Sequence, residues 1–344
     1  MRILLLLLAY LMCCPLSDAQ RVYGLNVVGP FDKLLNGHTI AALEDMHADW
    51  VTFLPEAVID RSTLTISPRD EKDWSHSIEG YKEFISECKQ AGLKVILKPH
   101  IILEGSYSLG DRIAFGSTWR GDMQPTRAAD WEEIEDAYAD FILEWARIAF
   151  EEQVDAFFMG TELKSFVTAR PDFWSQLATD LKCIYDGPLS YSANWDNYAN
   201  IPFWDQLSFI GINGYFPVNQ DGTPSIRHTK SSWKEIEQGL REIYRMHDKG
   251  ILFTEFGYRN IEYAGKEPWL HVHQTRWAQR SDKSQYNLLK AFFETVWQED
   301  YVLGGLLWNW SQNVNDKHNM DFTIQNKPAE ALVREWFRKE ENKT

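Results

Sequence analysis

The sequence predicts a single-domain (β/α)8 TIM barrel, an α/β fold, on three observations. Short apolar runs alternate with amphipathic stretches of helical period eight times along the chain. Eight such units leave no surplus element, whereas a doubly wound open sheet would leave some over. No repeat, low-complexity tract or linker rich in Gly, Pro or Ser divides the 344 residues, of which 44% are hydrophobic, so one large core can be buried.

The strands are predicted in order at residues 22–27, 50–54, 94–99, 154–160, 189–193, 207–212, 251–254 and 304–308. Each is a run of β-branched, aromatic or aliphatic residues of strand length. Helices are predicted over 39–47, 78–91, 131–151, 171–184, 232–247, 285–299 and 328–338, where apolar residues recur at three- and four-residue spacing. Ser77, Asp130 and Ser284 stand where N-caps are wanted, Gly92 follows the second helix as a stop, and Pro171 and Pro328 suit first turns. The fifth connection, 196–206, has room only for a stub of helix. Three of the loops that follow strands are long, at 101–129, 259–282 and 312–327. They carry Tyr107, Trp119, Arg120, Trp269, His271, His273 and Trp277, which predicts aromatic walls at the C-terminal face.

Residues 1–19 combine one Arg, a short apolar stretch and a small-residue ending, the pattern of a cleavable export signal, so the mature domain is expected over 20–344 and outside the cytoplasm, secreted or periplasmic. No later stretch is long and apolar enough for a membrane helix. A net charge of −15 without a basic stripe argues against nucleic acid as a partner. Cys88 and Cys183 lie in separate helical patterns and are expected as buried, unpaired thiols, with a disulfide between them as the alternative. Fifteen Trp and fourteen Tyr supply flat faces of the kind that stack on sugar rings.

The last residues of the strands form the floor of the expected cleft: Asn26, Glu56, His100, Glu162, Asn194 with Trp195, Asn213 with Tyr215, Glu255, and Trp308. Glu162 and Glu255 end apolar runs on the fourth and seventh strands. An unpaired charge is costly to bury there, so a functional role or an ion pair is required. The structural alternatives are salt bridges from Glu162 to Lys164 or another base and from Glu255 to Arg259. Two carboxyl groups facing one cavity are what a retaining glycosidase uses. No three His or Cys gather among these strand ends, so no metal and no cofactor is expected. Lys98, near the end of the third strand, is the one lysine placed to form a Schiff base.

The segments GTEL (160–163), ANWDNY (193–198), FWDQLSFIGINGYFPV (203–218), LFTEFGYR (252–259) and QNKPAE (325–330) together resemble family 113 glycoside hydrolases. The resemblance implies a retaining (β/α)8 enzyme of the β-1,4-mannanase kind. Carried over position by position, it makes Glu162 the acid/base and Glu255 the nucleophile, the strands that counting alone had picked out. Tyr215 is then placed to hydrogen-bond and position Glu255. Asn26, His100, Asn194, Trp195, Asn213 and Trp308 become candidates for binding the sugar. Thr161 departs from the Asn that most related enzymes carry before the acid/base, so the contact to the sugar 2-hydroxyl is expected from another strand.

The function expected is a secreted endo-β-1,4-mannanase, working as a monomer on a β-mannan-like polysaccharide. An exo-acting β-mannosidase or another β-glycanase on the same barrel is the alternative within enzymes. A non-catalytic carbohydrate-binding barrel and a metal-dependent barrel hydrolase are the alternatives of other classes.

Overall fold

The computed structural model describes residues 21–29, 37–69, 76–103, 108, 111–114, 119–270, 274–275, 277–312 and 319–338. The strands, in chain order, are β1 (Val22–Val28), β2 (Trp50–Phe53), β3 (Glu56–Ile59), β4 (Ile66–Pro68), β5 (Lys94–Leu97), β6 (His100–Ile102), β7 (Ala156–Thr161), β8 (Leu189–Asn194), β9 (Ile210–Asn213), β10 (Ile251–Phe256) and β11 (Val302–Ser311). Eight of them close a barrel in the order β1-β11-β10-β9-β8-β7-β5-β2. Every barrel pairing is parallel, so the chain forms the expected (β/α)8 barrel. β7 is the fourth barrel strand, β9 the sixth and β10 the seventh.

The second and third barrel strands break after Phe53 and Leu97 and resume as β3 and β6, which pair in parallel with each other. With the antiparallel β4 they make a small sheet above the barrel mouth. This sheet leaves no periodic signal in the sequence, because its strands are three or four residues long.

The helices are α1 (Gly37–Asp45), α2 (Ile78–Gln90), α3 (Asp130–Glu151), α4 (Lys164–Ala169), α5 (Pro171–Lys182), α6 (Ile226–His247), α7 (Asp282–Phe293) and α8 (Pro328–Arg338). Ser77 caps α2 as expected, accepting from the Gly80 amide at 3.0 Å. Gly92 follows at φ +80, the left-handed conformation that only glycine adopts freely. Two expected caps fall elsewhere. Asp130 is the first residue inside α3, its carboxylate taken by Arg112 and Arg127 at 2.6 Å each. Ser281, not Ser284, caps α7. Cys88 is buried in α2, but Cys183 is exposed at the end of α5, contrary to the expectation of two buried thiols.

Alternation along the strands sorts the core into two layers. One set of side chains, including Tyr23, Leu25, Phe157, Tyr191, Phe253 and Leu307, points outward into the shell of helices. The other set, Val22, Trp50, Ile96, Ala156, Phe158, Phe209, Leu252 and Leu306, fills the barrel interior toward the N-terminal ends of its strands. Closure between β1 and β11 is tight: a Cβ on Gly304, at φ +119, would lie 2.2 Å from the Val22 carbonyl oxygen.

Candidate active site

Following each strand past the apolar plug leads to the polar floor. Two or four residues beyond a plug residue, on the same face, stand Asn26 after Val22, Thr52 after Trp50, Lys98 after Ile96, Asn213 after Phe209, Thr254 after Leu252 and Trp308 after Leu306. A barrel strand that stays apolar inward to its end needs no such change. The polar residues collect at the C-terminal mouth, where barrel enzymes keep their chemistry.

Glu162 follows β7 with φ +55, a left-handed conformation that is rare outside glycine. Its amide donates to the Ser192 carbonyl at 2.9 Å, and the next amide, of Leu163, donates to the Tyr191 hydroxyl at 2.7 Å. These two bonds on β8 hold the turn that aims the side chain into the mouth. The carboxyl group is buried, with Oε1 accepting from Asn213 Nδ2 at 2.9 Å and Oε2 from Arg120 Nη2 at 3.0 Å. Burial raises its pKa above the ordinary Glu value. The Arg120 charge opposes that rise and the Glu255 charge adds to it.

Glu255 reaches the same floor through an irregularity in β10. The register slips between Phe253 and Glu255 against β9, and between Phe253 and Phe256 against β11. Thr254 and Glu255 are therefore both drawn toward the interior. Lys98 Nζ donates to Glu255 Oε1 at 2.7 Å, and the Tyr215 hydroxyl donates to Oε2 at 2.8 Å. Both carboxylate oxygens thus meet a donor away from bulk water, since Lys98 is 0% exposed and Glu255 4%. Burial lowers the Lys98 pKa and Glu255 pulls it back up. Tyr215 is pushed well above the ordinary phenol value by burial and by the Glu255 charge, so it stays protonated and donates.

Asn213 ties the two halves together. Its Cα is in register with both Asn194 and Glu255. Its Oδ1 accepts from the Ser192 hydroxyl at 2.8 Å and the Thr254 hydroxyl at 2.7 Å, which turns Nδ2 toward Glu162. Of the salt bridges expected as structural alternatives, Glu162 does pair with a base, but with Arg120 rather than Lys164, and Glu255 does not pair with Arg259. Lys164 pairs with Asp196 at 2.8 Å, and Arg259 donates to the Met320 carbonyl at 2.6 Å.

The other expected residues divide. Trp308 is half-buried with Lys98 Nζ 5.6 Å from its ring centroid, and its peptide bond to Asn309 is cis. Trp195 stacks on Trp269 at 5.1 Å and 19°, building one wall of the mouth. Asn194 turns its amide nitrogen to Asp196 at 2.9 Å. His100 is buried at the start of β6, and burial with the Arg120 and Lys98 charges holds its pKa well below the ordinary value. Asn26 is fully buried, and its Nδ2 lies 3.1–3.4 Å from the carbonyls of Thr254, Leu306 and Leu307, which places it among backbone groups of β10 and β11. Tyr107, His271 and His273 lie outside the described residues.

Two residues in direct contact with the carboxylates carried no role in the sequence reading beyond Schiff-base chemistry for Lys98 and a place in the wall for Arg120. Lys98 had a signal, because it shares the inward parity of Ile96. Arg120 had none, since it sits in a 3-10 turn (Arg120–Asp122) within the long connection between β6 and α3. The assembled site presents two buried carboxyl groups, one whose burial favours its proton and one that accepts from the Lys98 Nζ and the Tyr215 hydroxyl.

Three solved structures set this architecture among known proteins. A GH113 β-1,4-mannanase, solved as a complex, aligns with a TM-score of 0.75 at 21% identity over 93% of this chain and 99% of its own. The GH113 β-mannanase AaManA from Alicyclobacillus acidocaldarius, in complex with ManMIm, aligns with a TM-score of 0.77 at 21% identity over 94% and 99%. A β-glucuronidase from Ruminococcus gnavus shares the fold more distantly, with a TM-score of 0.61 and 12% identity over 93% of this chain and 50% of its own. No curated protein matches the chain. The sequence model of Glycoside Hydrolase Family 113 matches residues 24–327, which takes in most of β1, the other seven barrel strands and both glutamates. On that match the chain is a glycosidase and belongs to Glycoside Hydrolase Family 113.

Proposed function

We propose that the protein is an exported endo-β-1,4-mannanase that hydrolyses β-mannan or glucomannan with retention of configuration. The observation that carries this reading is the pair of buried carboxyl groups, Glu162 after the fourth barrel strand and Glu255 on the seventh, at one end of the barrel. Burial favours the proton on Glu162, while Lys98 and Tyr215 donate to both oxygens of Glu255. The likeness to GH113 β-mannanases supports mannan as the polymer. Residues 1–19 act as the export signal in this reading.

In the first step Glu255 attacks the anomeric carbon as Glu162 gives its proton to the departing glycosidic oxygen. One C–O bond forms as the other breaks, and a glycosyl ester on Glu255 results. Loss of the Glu255 charge removes one of the influences that raise the Glu162 pKa, so Glu162 then takes a proton from water. The resulting attack on the ester releases the sugar and restores Glu255. Tyr215 and Lys98 hold the attacking oxygens, and Trp308, Trp195 and Asn194 contact the sugar beside them.

The purified protein incubated with β-mannan, glucomannan, xylan and cellulose tests this directly. Oligosaccharides of several lengths are expected from the first two polymers, with NMR showing the β-anomer released first. Inversion at the anomeric centre would remove the double displacement, and release of monosaccharide alone would remove endo action.

A further inference from the structure

The contact between Arg120 and Glu162 is not needed to build the barrel. Arg120 comes from a loop, and its side chain is 19% exposed against 9% for Glu162. The turn that presents it is nonetheless built. A Cβ on the buried Gly121 would lie 2.0 Å from the Trp119 ring, so the indole covers the turn closely. Arg120 Nε donates to the Thr161 carbonyl at 3.2 Å while Nη2 donates to Glu162 Oε2. The guanidinium therefore grips the end of β7 at two points.

The two donors on Glu162 differ in how easily they yield. Asn213 is held on the barrel wall by the Ser192 and Thr254 hydroxyls. Arg120 is held by a loop. A glycosidic oxygen accepting a proton from Glu162 must approach the oxygen that carries it, and Oε2 is the one whose present partner can leave. We propose that Arg120 is a positioning residue that competes with the proton for Glu162 Oε2, clamping the carboxylate in the substrate-free enzyme and giving way when a glycosidic oxygen takes up that atom.

This rests on Glu162 being the acid/base. As Arg120 withdraws, keeping its charge, a proton from solvent occupies Oε2 and is the one later passed to the leaving oxygen. When the first sugar has gone, Arg120 returns and stabilises the anion that activates water. The clamp works in a field set by several groups. Glu255 on β10 favours the proton, Lys98 beyond β5 disfavours it, and Tyr191 on β8 and Tyr215 after β9 are neutral phenols held by burial. His100 at β6 faces Arg120 as a neutral imidazole.

The test is the pH profile of kcat/KM for manno-oligosaccharide hydrolysis by wild type, Arg120→Met, Arg120→Lys and Glu162→Gln. Removing an adjacent opposite charge should move the alkaline limb of Arg120→Met upward by about one pH unit or more, with Arg120→Lys close to wild type. Loss of activity in Arg120→Met with an unmoved limb overturns the clamp, since a merely structural defect lowers the whole profile. Glu162→Gln separates the two ideas. If that variant keeps the alkaline limb, Glu162 is not the acid/base; if it loses the limb while Arg120→Met stays unmoved, only the clamp fails.

Discussion

Lys98 Nζ lies 2.7 Å from Glu255 Oε1, joining the third barrel strand to the seventh across the floor of the mouth, with the lysine fully buried. Such a pair holds only while both partners are present, because either alone is an uncompensated charge away from water. Lys98→Met should therefore lower stability by roughly 3–5 kcal/mol and abolish measurable hydrolysis. Denaturant unfolding and initial rates at one pH check both, and a variant with native stability and rate would show that the pair does no work.

Tyr215 offers a gentler test of the same carboxylate. Its ring packs edge-on against Phe322 at 5.7 Å, a contact that Phe retains, so Tyr215→Phe removes only the hydroxyl bonded to Glu255. A hydrogen bond to a charged group contributes about 1.5–3 kcal/mol, equivalent to a fall in kcat of roughly 10- to 150-fold. Steady-state kinetics should show this fall with KM little changed. A variant affected in KM alone would move Tyr215 from holding the nucleophile to binding ground-state sugar.

The left-handed backbone at Glu162 predicts an inversion of the usual ranking of small residues. At φ +55 a Cβ crowds the following carbonyl at a cost of roughly 1–2 kcal/mol, which glycine avoids. Glu162→Gly should thus unfold at higher denaturant than Glu162→Ala, by about 1 kcal/mol, although both lose the acid. Equal midpoints would mean that the turn relaxes once the side chain is gone.

His100 predicts a pH dependence of stability. In the unfolded chain its imidazole takes a proton near the ordinary value of about 6.5. In the folded protein, burial and the charges of Arg120 and Lys98 keep it neutral to well below that. The unfolded state then binds more protons, so stability present above pH ~6.5 is lost as pH falls toward the folded-state value. Wild type should lose up to about 1.4 kcal/mol more per pH unit than His100→Gln between pH 6.5 and 5. Parallel unfolding curves at several pH values decide it, and identical acid slopes would be the contrary result.

The barrel was legible because strand alternation and helical period are local properties. Leu252 inward and Phe253 outward follow from a period of two, and the apolar stripes of α2 and α6 follow from a period of 3.6. The same local logic located Glu162 and Glu255, because a carboxylate that ends an apolar run stands out in any one strand. It failed at helix starts. Asp130 and Ser284 have the right side chains for caps, but Arg112 and Arg127 claim the first, and the chain enters α7 three residues earlier than the second.

By itself, then, the sequence determined the eight-unit barrel, the two strands that bear carboxylates, and Tyr215 as the partner of Glu255. Only the tertiary structure decided which cations meet those carboxylates. Lys164 and Arg259 are close in sequence to Glu162 and Glu255, yet the partners are Arg120 and Lys98. The reason is geometric: closing a barrel brings the ends of β5, β7 and β10 to one mouth and folds a long loop over it. Residues two positions along a strand are turned to different surroundings by a bulge or a helix start. Ion pairs form between side chains that share that small space, and no local pattern in the chain records who its occupants are.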